Sequence, residues 1–173
     1  MTTLIDLILR RWLVLAFLAS AAMLGAAHAF ETFGHLAPCT LCLRQREIYW
    51  VALAASAGGA IAEATPPLRR LTPLFGAALA LIFLYGAGIA TWHAGAEWKW
   101  WPGPATCAST GHGVSLAQMT ALLHGAKVQA PHCDEAAWRM LGLSMAGWNV
   151  LISLGLAAFS GLFAWRRWRG ADV

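Results

Sequence analysis

Charge is what this chain has least of. Only 12% of its 173 residues are Asp, Glu, Lys or Arg, while 59% are hydrophobic. A soluble domain carries roughly 25% charged residues, so water is not the main solvent of this protein. The net charge of +4 does not point to nucleic acid, because the basic residues are scattered at helix ends, where lipid headgroups account for them. Cysteine is confined to Cys39, Cys42, Cys107 and Cys133, and the last two are not closely spaced. A Cys₄ zinc site usually shows two close pairs, so no metal is expected. Position 43 is Leu rather than His, which excludes c-type haem attachment. Haem b needs axial histidines on facing helices, and only His28 and His93, both near outer span ends, offer themselves. The chain has no internal repeat and no low-complexity tract.

Four apolar runs fill most of the length: Trp12–Phe30, Leu43–Ala62, Leu71–Thr91 and Met145–Trp165. Each is close to the roughly 20 residues a helix needs to cross about 30 Å of hydrocarbon. Backbone groups find no water in lipid, so the spans must be helical. The sequence therefore predicts an all-α protein: one domain over residues 1–173, a bundle of four transmembrane helices. Arg10, Arg11, Arg69, Arg70, Arg166, Arg167 and Arg169 are seven of the 12 Lys and Arg residues and fall on one side of these spans. That side is the cytoplasm by the positive-inside rule, which puts both termini there and turns all four cysteines outward. In a bacterial inner membrane the outward side is the periplasm, where disulfides persist. Arg10-Arg11, an apolar run and Ala27-His28-Ala29 imitate a cleavable secretory signal, but Trp12–Phe30 exceeds the about 7–15 apolar residues of such a signal. It is read as a retained span.

The connections are unequal. Glu31–Pro38 is a short outer loop. Glu63–Arg70, with Pro66-Pro67, is a tight inner connection that makes spans two and three antiparallel neighbours. The second outer loop, about His93–Ser144, is long and holds Pro102-Gly103-Pro104. Trp92, Trp98, Trp100 and Trp101 crowd its start as an interfacial aromatic cluster. Within it Ser115-Leu-Ala-Gln118 reads as a capping box opening a short surface helix to about Leu123.

Cys39-Thr-Leu-Cys42 carries the chemistry. A C-x-x-C pair is a redox or metal device, here at the mouth of a membrane helix. Ile48–Ala62 alone is too short to span, so the helix starts earlier, near Cys42, with Pro38 suited to its start. Both cysteines then occupy the first turn, where free N–H groups and the helix dipole favour a thiolate. Arg46 shares a face with Cys42 at i, i+4. There it would lower the Cys42 pKa and hold an oxygen of a bound acceptor, or else snorkel to headgroups. Arg44 and Glu47 read as an interfacial ion pair.

Cys-x-Leu-Cys at the outer end of span two, the arginine four residues on, and the later pair Cys107 and Cys133 together resemble the DsbB family of quinone-linked disulfide-forming membrane proteins. Trp138, Leu141-Gly142-Leu143, Met145 and Trp148 are similar to that family's approach to its last span. In the vitamin K epoxide reductase family the loop pair comes first; here it comes second. The resemblance implies that Cys39–Cys42 is the quinone-proximal pair and Cys107–Cys133 the pair that meets a periplasmic DsbA-like thiol oxidase. It implies that Arg46 and His93 serve the quinone, ubiquinone or menaquinone. It further implies a relay in which the partner attacks Cys107. Cys133 attacks Cys39, and Cys42 is freed as a thiolate beside the quinone. A partner more oxidising than the glutathione pool needs such an acceptor. Two other readings stay open from the sequence. One is a related oxidase dedicated to a single client. The other is a non-catalytic membrane protein whose cysteines form structural disulfides.

Overall fold

A computed structural model describes residues 4–103, 120 and 133–170 of the chain. Helices dominate. A short α1 (Leu4–Arg10) leads into α2 (Trp12–Thr32), followed by α3 (Thr40–Ala64), a 3₁₀ turn over Pro66–Leu71, α4 (Thr72–Glu97) and α5 (Met145–Trp168). Two-residue strands, β1 (Arg139–Met140) and β2 (Leu143–Ser144), pair antiparallel just before α5. The predicted surface helix over Ser115–Leu123 lies outside the described residues apart from Thr120.

Each predicted span has a helix, with shifted ends. The largest shift is in α4, which continues to Glu97 and takes His93 inside the helix instead of leaving it at the start of a loop. Ala94-Gly95-Ala96 sustain the helix, and Gly95 makes room for Trp101 to fold back: a Cβ there would stand 2.0 Å from Trp101 Cζ2. Trp101 Nε1–H then donates to the Trp92 carbonyl at 2.9 Å. Part of the tryptophan cluster thus seals the end of α4.

Among the described residues three helices, α2, α4 with its preceding turn, and α5, are long and apolar enough to cross a membrane. The 25-residue α3 is not among them, because Arg44, Arg46 and Glu47 at one end and Glu63 at the other dilute its hydropathy. Outward faces carry exposed Leu81, Leu84, Tyr85, Leu151 and Leu154, as a lipid-facing surface requires. The inward faces pack Trp12, Leu13, Tyr49, Leu79, Phe83 and Phe163 into a core. α4 and α5 approach closely through Gly76, where a Cβ would lie 2.7 Å from Phe163 Cδ1. Trp12 Nε1–H donates to Ser160 Oγ at 3.0 Å, tying α2 to α5.

The two ends of the bundle differ in kind. At one, Arg166 binds Asp6 at 2.5 Å and Arg167 pairs with Glu63, so the start of the chain, the α3–α4 connection and the end of α5 meet. Cys39, Cys42 and Cys133 are at the other.

Candidate active site

The site is assembled on three helix ends. Pro38 stands just outside α3, and Cys39 is its N-cap, with extended backbone (φ −79, ψ 172). The helix therefore starts at Thr40, two residues after the expected start at Pro38. From its N-cap position Cys39 Sγ accepts the Cys42 N–H at 3.3 Å. The two sulfurs lie 2.9 Å apart, and both cysteines are free thiols. From α4, His93 brings Nε2 to 3.7 Å from Cys39 Sγ and 3.7 Å from Glu97 Oε1. From the start of α5, the Ser144 hydroxyl donates to Glu97 Oε2.

Cys133 is fully buried against Cys39 and Leu41. It is disulfide-bonded, and its sulfur lies 3.7 Å from Thr40 Oγ1. The ligand atoms of Cys39, His93 and Cys133 all fall within 4.8 Å of one another. With Cys133 in a disulfide, this closeness is the arrangement for sulfur-to-sulfur exchange, not a thiolate metal cage. Cys107 lies outside the described residues.

Arg46 does not snorkel. Its side chain is 14% exposed and donates to Glu31 Oε2 at 2.5 Å and to the Ala27 carbonyl at 3.0 Å, so it is clamped to the last turns of α2. Arg44 and Glu47 do form the exposed pair expected of them, at 3.1 Å. Beside Arg46 opens a cavity of about 360 Å³, with Cys42, Gln45, Arg46, Tyr49, His93 and Asn149 as its polar groups. The rest of its wall is largely apolar, including Met23, Leu24, Phe30 and Ile152. Phe30 and Trp138 meet across it with ring centroids 5.2 Å apart. Gln45, Tyr49, Asn149, Glu31 and Glu97 are site residues that sequence reasoning missed. The signal for three of them was periodic: Cys42, Gln45, Arg46 and Tyr49 repeat at i, i+3, i+4, i+7 on one face, and Glu97 is i+4 from His93.

Cys39 and Cys42 divide their protons unequally. The hydrogen bond from Cys42 is the largest influence on Cys39. With the contribution of His93 it outweighs burial and draws the Cys39 thiol down to about 4. Cys42 is pushed up, first by that same hydrogen bond and then by burial. In the dithiol the charge therefore sits on Cys39. The reason is that two sulfurs this close share one proton, and the N-cap sulfur faces more donors. Arg46 acts on Cys42 in the expected direction, as the smallest influence. Once Cys39 is engaged in another disulfide, the influences that raise Cys42 through it are gone.

This is a site for thiol–disulfide exchange beside an apolar cavity. Comparison with known proteins agrees: residues 9–163 match the family described as "Disulfide bond formation protein DsbB". The chain belongs to the DsbB family. Curated relatives named "Disulfide bond formation protein B" include one from Methylococcus capsulatus, 33% identical and covering 90% of this chain and 94% of its own. Another, from Marinobacter nauticus, is 31% identical over 91% of this chain and 96% of its own. A third, from Dechloromonas aromatica, is 25% identical over 91% and 93%. No solved structure matches. Membership in the family makes the chain a disulfide-forming oxidoreductase, and the apolar helices make it a membrane protein.

Proposed function

We propose that this protein reoxidises a periplasmic DsbA-like thiol oxidase and passes the electrons to a membrane quinone. It would sit in a bacterial inner membrane as four spans, α3 included, with both termini cytoplasmic. The observation that carries this reading is the cavity that joins Cys42, Arg46 and His93, together with the abutment of Cys133 on Cys39. The seven arginines near the Asp6–Arg166 end support the orientation.

The residues fit a quinone. A cavity of about 360 Å³ falls within the usual range of ligand pockets, roughly 300–1,000 Å³. Its apolar wall suits a ring and a lipid tail, Arg46 is a donor for a ring oxygen at its polar end, and His93 lines that end beside Cys42. When bound, a quinone supplies a two-electron, two-proton acceptor.

The chain's own steps are exchanges of sulfur. With Cys39–Cys42 and Cys107–Cys133 both oxidised, a partner thiolate attacks Cys107 and releases Cys133 as a thiolate. The partner's second thiol then frees Cys107, and the partner leaves oxidised by two electrons. Cys133 attacks Cys39, forming a Cys39–Cys133 bond and releasing Cys42 as a thiolate facing the cavity. Cys107 attacks Cys133, restores Cys107–Cys133 and leaves Cys39 as the thiolate of a reduced Cys39/Cys42 pair. That pair now holds the two electrons, with Cys42 at the cavity wall and Arg46 behind it.

The test is direct. Purified protein in lipid, given ubiquinone or menaquinone analogue and a reduced dithiol partner, should reduce the quinone in proportion to partner oxidised. Cys42→Ser should abolish this transfer. Partner oxidation that proceeds without quinone reduction would overturn the proposal.

A further inference from the structure

A chain of buried side chains leads from the middle of the bundle to His93, and a backbone carbonyl beside Gln45 gives it a direction at the histidine. The Leu41 carbonyl accepts from Gln45 Nε2 at 3.2 Å. A carbonyl has no hydrogen to give, so the nitrogen of the Gln45 amide must lie on that side. The opposite end agrees. Asn149 Nδ2 donates to Gln45 Oε1 at 2.5 Å. Asn149 Oδ1 in turn accepts from Tyr49 OH at 2.5 Å and from Ser153 Oγ at 3.3 Å. The Leu41 carbonyl thus fixes which way the Gln45 amide is turned, and the Asn149 contact is compatible with that orientation. Its second N–H points at His93 Nδ1, 2.9 Å away. A ring nitrogen facing an N–H donor presents its lone pair, so the ring hydrogen belongs on Nε2. Nε2 is the atom 3.7 Å from Cys39 Sγ and 3.7 Å from Glu97 Oε1. Gln45, His93, Asn149, Tyr49 and Ser153 are all buried, and the Gln45 N–H at 2.9 Å occupies Nδ1.

The geometry points to Gln45, oriented by Asn149, as a positioning residue that holds His93 with its hydrogen on Nε2, so that His93 donates to Cys39 and does not serve as its base. The inference rests on the proposed function only for its consequence in turnover. There, a donated hydrogen bond steadies the Cys39 thiolate of the reduced pair, the form left when Cys107 closes back on Cys133. The titratable groups around Cys39 are Cys42 on its own helix, His93 and Glu97 on α4, and Cys133 packed against it. Arg46 faces Cys42.

The tautomer is read from ¹⁵N imidazole shifts of histidine-labelled, reduced full-length protein in lipid nanodiscs, without quinone or partner. The His93 signal is assigned by its loss in His93→Gln. Wild type should show hydrogen on Nε2 and a bare Nδ1. Gln45→Glu sets an acceptor opposite Nδ1 and should bring hydrogen onto it, and Asn149→Leu should mix the two tautomers. In Asn149→Leu the pH midpoint of Cys39 alkylation should also rise by about one unit, as expected from weakening a hydrogen bond to a charged sulfur. A wild-type His93 with hydrogen on Nδ1 and a bare Nε2 would overturn the assignment, as would a Gln45→Glu spectrum identical to wild type. The wild-type spectrum decides by itself, so the result does not hang on either variant folding. Because nothing in it turns over, it stands apart from quinone reduction, and either inference can fail without the other.

Discussion

Two helices begin side by side at the cysteine end of the bundle with the same cap. Cys39 opens α3 at φ −79, ψ 172, and Ser144 opens α5 at φ −74, ψ 171. Each side chain accepts the N–H three residues on, from Cys42 at 3.3 Å and from Gly147 at 3.1 Å. Each is also held by α4, one turn apart, Cys39 by His93 and Ser144 by Glu97. Beyond that the helices part. At the third position after the cap α3 has Cys42 and α5 has Gly147; at the seventh α3 has Arg46, clamped inside, and α5 has Leu151, exposed. Serine is among the best N-caps and cysteine is a weak acceptor. The α3 cap is therefore a compromise of stability for chemistry, and the α5 cap is what the same backbone uses where no chemistry is asked of it.

The strongest way to break this comparison is Cys39→Ser. It gives α3 the cap of α5 and should fold as well as wild type, within about 1 kcal/mol by thermal unfolding of the extracted protein. Partner-dependent quinone reduction should fall by about three orders of magnitude or more, since the exchanging sulfur is gone. A variant that kept turnover would move the exchange to another sulfur and make Cys39 a cap only.

Next in size is Arg46, the residue that replaces an exposed leucine of α5. Arg46→Ala should raise the apparent KM for quinone about tenfold or more, the usual effect of losing a hydrogen bond from a charged group. Arg46→Lys should recover little, because a single ammonium cannot hold Glu31, the Ala27 carbonyl and an acceptor oxygen as a planar fork does. Exchange between the partner and Cys107–Cys133 should hardly change. Unaltered quinone kinetics in a folded Arg46→Ala would leave Arg46 as a strut between α2 and α3.

Much of this was legible in the chain. Length and hydropathy give the helices, the C-x-x-C pair at a helix start gives the redox chemistry, and i, i+4 spacing places Arg46 beside Cys42. Other features were hidden for physical reasons. The end of α4 was obscured because Trp98, Trp100 and Trp101 signal an interface wherever they stand, whereas the helix end was decided by Trp101 packing onto Gly95. Asn149 and Gln45 are 104 positions apart, and no local pattern says that two helices rotate so as to face them. The partition of charge between Cys39 and Cys42 depends on where one sulfur points relative to the other. Sequence spacing puts both in the first turn and stops there.

Ser144 tests the other side of the comparison. Ser144→Ala removes the α5 cap and leaves the buried Glu97 without its hydroxyl donor. The expected loss is about 1–3 kcal/mol, seen as a lower midpoint of thermal unfolding, with the sulfur chemistry intact in the protein that remains folded. A neutral result would mean that neither the α5 cap nor Glu97 depends on the Ser144 hydroxyl.

The smallest effect separates the caps most sharply, because one of them can carry charge. Serine does not titrate, but Cys39 lies near 4 while Cys42 is raised. The oxidised pair binds no protons. Above about pH 4 the reduced pair binds one, on Cys42, and only below that does Cys39 take up a second. Proton uptake favours reduction, so the potential of Cys39–Cys42 must fall as pH rises, and its slope counts the protons. With two electrons and one proton the slope is about 30 mV per pH unit; with two protons it doubles to about 60 mV. Between pH 5.5 and 8, redox titration of the isolated pair, with Cys107 and Cys133 replaced by Ser, should follow the shallower line. Alkylation of reduced Cys39 should likewise stay nearly flat over that range, since its thiolate is already formed. A slope near 60 mV would mean that both sulfurs keep their protons at neutral pH. In that case Cys39 would be no more than a cap until its partner arrives.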